Sequence, residues 1–139
     1  MERLNERLAE ARAALATLQD LVEKQRRSAV ERDAAIMRFA YTFEAVWKAA
    51  QRYLIDREGL DVGSPKQCVR ACRQVGLLTD DQAQAALRMA DDRNLVVHLY
   101  RESVAQELDT RLPLHASILD AWLAAMNRSP GGEPQTAGR

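Results

Sequence analysis

Apolar residues in the first segment fall at Leu4, Leu8, Ala11, Leu15, Leu18 and Val22. Steps of four and three draw a single stripe along a helix of about six turns, with charged or small residues on the other faces. Such a stripe must meet another helix of this chain or a second chain. The segment ends in a turn between Lys24 and Ser28. Ser28 and Glu31 then stand at capping-box spacing and open a long helix reaching about Arg57. Its apolar face is wide: Ile36, Phe39, Ala40, Phe43, Val46, Trp47, Ala50 and Leu54. It carries Phe39, Phe43 and Trp47 and is expected to form the core.

Gly59 to Gly63 reads as a loop, and Ser64-Pro65-Lys66-Gln67 as a helix start with serine at the N-cap and proline at the first position. This third helix is short and stops near Gly76. Thr79 and Gln82 form a second capping box. The helix they open is expected to continue to about Asp109, with a break near Asp91. Pro113 is expected to open the last helix, through Leu114, Ile118, Leu119, Trp122, Leu123 and Met126. Beyond it, residues 128–139 lack an apolar anchor and read as a disordered tail. No strand of useful length and no internal repeat is visible. The pattern predicts an all-α, mostly antiparallel bundle of about five helices, forming one domain over residues 1–127.

Composition narrows the function. Twenty basic residues balance 20 acidic ones, so the chain is not a generally basic nucleic-acid binder, and any RNA contact needs a local patch. The best candidate is Lys66, Arg70 and Arg73, an i, i+4, i+7 stripe on the third helix. No apolar run is long enough to span a membrane, and the first residues are charged, unlike a signal peptide. A cytoplasmic protein is expected. Cys68 and Cys72, the only cysteines, lie at i, i+4, which argues against a disulfide. With only His98 and His115 to add, a zinc site is not expected, and no metal or cofactor is called for. His115 reads as a surface or capping residue, and Glu44 with Lys48 as an exposed helix pair.

The densest chemistry lies between Arg93 and Tyr100, which spell R-x4-H-x-Y. On a regular helix five residues turn about 140° past a full revolution, so Arg93 and His98 do not share a face, whereas Asn94 and His98 do. His98 is suited to move a proton to or from a ribose oxygen, and Arg93 to stabilise a phosphorane as a permanent cation. Asn94 is expected to orient the imidazole or the phosphate. Glu102, one turn on, is expected to hold the ring or raise its pKa. Tyr100 lines up at helical spacing with Val97, Val104 and Leu108.

Three stretches together carry a family resemblance: residues 38–54 (RFAYTFEAVWKAAQRYL), Ser64-Pro65, and residues 91–100 (DDRNLVVHLY). Over about residues 30 to 126 the chain resembles the HEPN family, in its minimal HepT-like branch. These small helical proteins were first described as substrate-binding partners of minimal nucleotidyltransferases. The resemblance implies a five-helix fold, a homodimer, and a metal-independent endoribonuclease site at the dimer cleft carried by Arg93 and His98. It also implies a toxin–antitoxin pair, in which a minimal nucleotidyltransferase (an MntA-like antitoxin) neutralises the toxin by adding AMP to Tyr100. Two other readings stay open. One is a non-catalytic subunit that binds a nucleotide or the partner enzyme. The other is a purely structural helical dimer built on the N-terminal stripe.

Overall fold

A computed structural model describes residues 2–128, and the tail from Ser129 on lies outside them. Five α-helices account for most of the described chain: α1 (Glu2–Val22), α2 (Ala29–Tyr53), α3 (Pro65–Gln74), α4 (Asp80–Leu95) and α5 (Glu102–Arg128). A π-helical turn, Leu54–Glu58, extends α2, and a 3₁₀ turn, Val96–His98, follows α4. Among the described residues no helix is long and apolar enough to cross a membrane.

The helix starts follow the local sequence. Ser28 accepts from the Glu31 amide at 3.1 Å while Glu31 accepts from the Ser28 amide at 2.9 Å, so two otherwise orphaned donors are satisfied. Thr79 and Gln82 repeat the exchange at α4. At α3 Ser64 caps Gln67, but the Gln67 side chain reaches one residue further back, to the Gly63 amide. Gly76, at φ 86°, gives α3 the left-handed exit that a side chain would strain.

Five positions of the α1 stripe, Leu4 through Leu18, are buried, and they meet α2 and α5 of the same chain. The stripe is therefore spent inside the bundle, and a dimer zipped along it is excluded. Ion pairs give the helix directions. Arg12 of α1 meets Asp120 of α5, while Arg27, just after α1, meets Asp109, so α1 and α5 run antiparallel. Arg32 near the start of α2 meets Glu102 at the start of α5, so these two run parallel. The parallel pair arises because α4 runs back up the bundle between them in sequence. Phe39, Phe43 and Trp122 are fully buried at the centre.

Two expectations at the α4–α5 junction are corrected. The helix runs unbroken past Asp91 and breaks instead over residues 96–101. The β-branched pair Val96-Val97 is a weak place to continue a helix, and the break lets α5 fold back against α4. Tyr100 consequently shares no helical face with Val97, Val104 and Leu108. Pro113 does not open the last helix but sits inside α5. An internal proline costs about 3 kcal/mol. Buried Leu108, Leu112 and Leu119, on both sides of it, hold the helix together regardless.

Candidate functional site: a cleft beside the motif turn

Antiparallel packing of α2 and α4, with the start of α3 beside them, leaves a cleft of about 430 Å³. Phe43 and Trp47 from α2 and Ala90 from α4 line it, with Glu44, Lys66, Arg93 and Asn94 contributing charged and polar groups. Trp47 is only 7% exposed, and its indole N–H has no acceptor among the described residues. Ser64, the N-cap of α3, and Pro65, its first residue, also line it.

Both cations are already engaged. Arg93 Nη2 lies 3.2 Å from Glu44 Oε1, and Lys66 Nζ lies 2.8 Å from Asp91 Oδ1. The expected Glu44–Lys48 pair is not what forms: Glu44 turns to Arg93, and the Lys48 ammonium sits 5.3 Å from the centre of the Trp47 ring. The basic stripe on α3 is likewise divided. Lys66 faces the cleft, Arg73 pairs with Asp80 at 3.1 Å, and Arg70 opens on a separate groove shared with Arg73 and Gln84. Arg70 alone of the three has no ion pair among the described residues. Lys66 and Arg73 share a helix face but stand about 10 Å apart along its axis, so each meets a different neighbour.

His98 does not line the cleft. It is exposed on the 3₁₀ turn, and its ring centre is 6.3 Å from that of Tyr100, itself 82% exposed. On a continuous helix the two would point apart; the tight turn brings them together. Neither Asn94 nor Glu102 makes a hydrogen bond to His98 among the described residues. Glu102 instead takes both arms of the Arg32 fork, at 2.7 and 3.2 Å, and this holds its carboxyl below the ordinary value. Glu102 therefore does not orient the imidazole as expected. In a single chain Arg93 and Asn94 share the cleft, and His98 and Tyr100 share the turn next to it.

The other histidine is misjudged most by sequence. His115 is not a surface or capping residue: it is 2% exposed in the middle of α5 and stacked on Phe39 at 5.0 Å between ring centres. Its Nε2 is 2.7 Å from Asp92, and Arg111 donates to the same carboxylate at 2.8 and 3.0 Å. Burial pushes the Asp92 carboxyl up, but the hydrogen bonds from His115 and Arg111 outweigh it and keep it below the ordinary value. An ionised carboxylate only accepts, so Nε2 carries a ring proton and donates it to Asp92. This buried cluster pins the residue next to Arg93 onto α5. The signal was present in the i, i+4 spacing of Arg111 and His115 and in the paired Asp91-Asp92.

Cys68 and Cys72 are buried free thiols. The hydrogen bond shared with Cys72, together with burial, pushes the Cys68 thiol up and leaves it unreactive. Among the described residues no group of three or more His, Cys, Asp or Glu is placed to hold a metal ion.

Residues 6–128 match a family model described as nucleotidyltransferase substrate binding protein like. The chain belongs to this family. A crystal structure of a protein from Thermus thermophilus is similar throughout: 51% identity, a TM-score of 0.83, and coverage of 85% of this chain and 99% of that one. No curated protein matches the chain at a significant level. The family match takes in both the cleft and the turn that carries His98 and Tyr100.

Proposed function

We propose that the chain is the non-catalytic binding subunit of a minimal nucleotidyltransferase, working with that enzyme in the cytoplasm. One observation carries the reading. Within a single chain, Lys66, Arg93 and Asn94 converge on an aromatic-floored cleft of about 430 Å³, in the size range of small-ligand sites, while His98 stands outside it. Cations over an apolar floor suit holding a ligand rather than moving a proton. The family's description supports the association with a nucleotidyltransferase. The test is co-purification with a minimal nucleotidyltransferase of the same organism. A stable complex is expected, with faster transfer by the enzyme when the subunit is present and less stimulation with Lys66→Ala. No complex and no effect on transfer would reject the reading.

A second reading has its own observation. His98 and Tyr100 are neighbouring exposed rings one turn beyond Arg93, so two copies facing one another would gather two such sets in one cleft. On this reading the chain is a homodimeric HEPN endoribonuclease toxin. His98 is its general base and acid, Arg93 stabilises the phosphorane, no metal is required, and AMP added to Tyr100 blocks RNA entry by bulk and charge. Growth arrest on expression, lost in His98→Ala and surviving in Tyr100→Phe, with RNA cleavage unaffected by EDTA, is the expected result. A chain that is not toxic and cleaves no RNA as a dimer would leave only the first reading.

A further inference from the structure

We infer that the cleft is a nucleotide site whose affinity is set by two built-in competitors, the carboxylates of Glu44 and Asp91. The inference deepens the binding-subunit reading and rests on it only for where the nucleotide comes from.

Each rim cation is held by one carboxylate, and both pairs are open to solvent. Side-chain exposure is 43% for Lys66 and 64% for Asp91, and 44% for Arg93 and 40% for Glu44. Exposed pairs of this kind are weak, because water screens them and two flexible side chains must be ordered to form them. A phosphate ester brings more negative charge and three acceptor oxygens, enough to engage an ammonium and a guanidinium at once. It would therefore displace both carboxylates at small cost. The start of α3 adds the positive end of a capped helix on the same side. Inorganic phosphate would leave the apolar part of the cleft empty. The wall of Trp47, Pro65 and Ala90 calls for a flat, weakly polar group attached to the phosphate, which a nucleobase supplies. The carboxylates keep the empty cleft neutral, so the site discriminates against singly charged anions that cannot replace both.

Titration of the isolated full-length chain with ATP, by calorimetry at low salt, tests this. Lys66→Ala and Arg93→Ala should each weaken binding about ten-fold, and raised salt should weaken it further. The decisive variants are Glu44→Gln and Asp91→Asn, which keep shape and remove the competing charge. Each should tighten ATP binding, by about three-fold. Unchanged or weaker binding in both would overturn the competitor role. Inorganic phosphate binding as tightly as ATP, or an oligoribonucleotide binding where ATP does not, would overturn the nucleotide assignment. A chain that joins its nucleotidyltransferase but ignores ATP would sink this inference alone. A chain that binds ATP but no nucleotidyltransferase would sink the subunit reading alone.

Discussion

Truncating Asp92 to alanine should be among the most damaging single changes in this bundle. The carboxylate is 2% exposed and accepts three hydrogen bonds, two from Arg111 and one from His115. Without it, a guanidinium and a ring N–H lose their acceptor in the interior. Breaking a buried ion pair by removing one partner costs about 3–5 kcal/mol. The Arg111 side chain is 24% exposed and can turn partly to water, which favours the lower end, about 3 kcal/mol. With a urea m value of about 1.5 kcal/mol/M, the midpoint should fall by about 2 M at unchanged slope. Asp92→Asn keeps one acceptor for His115 but loses the charge, and should cost roughly half as much, about 1.5 kcal/mol. The pH dependence gives a second check. A carboxyl held below its ordinary value in the folded state stabilises above its unfolded pKa, here 3.8, and that stability is lost as the pH falls through the lower folded value. The gap between wild type and Asp92→Asn should therefore be full near neutral pH and close below about pH 3.8. An Asp92→Ala variant within 0.5 kcal/mol of wild type, roughly the range of a surface change, would refute the reasoning.

Three further outcomes follow from the fold. Leu15→Ala should cost about 2–5 kcal/mol, read as a lower urea midpoint, because it opens a cavity between α1 and the rest of the bundle; a loss under about 0.5 kcal/mol would mean that the α1 stripe is not packed in the core. Ser28→Ala removes the cap that opens α2 and should cost about 1 kcal/mol, read as a lower thermal midpoint; an unchanged midpoint would mean that the α1–α2 loop is held by other contacts. Tyr100→Ala, at a side chain 82% exposed, should leave stability within about 0.5 kcal/mol, and a larger loss would mean that this ring packs in the folded protein.

Much of the fold is local and was legible in the sequence. The α1 stripe, the two capping boxes and the Ser64-Pro65 start fix where helices begin and which faces turn inward, because capping and 3.6-residue periodicity act within a few residues. The all-α class and five helices follow from them. Local sequence did not settle where α4 ends or that α5 runs through Pro113, since both depend on how the two helices pack across the bundle. The site divides in the same way. The sequence marked Arg93, Asn94, His98 and Tyr100 as chemistry within eight positions, and Lys66 as a candidate cation. It could not show that Glu44 would claim Arg93, that Arg32 would draw Glu102 from His98, or that Asp92 and His115 would meet in the core. Those partners lie 23 to 70 residues apart in the chain. Electrostatic pairing over such separations is decided by which faces the packed helices bring within a few ångströms, and only the tertiary structure specifies that.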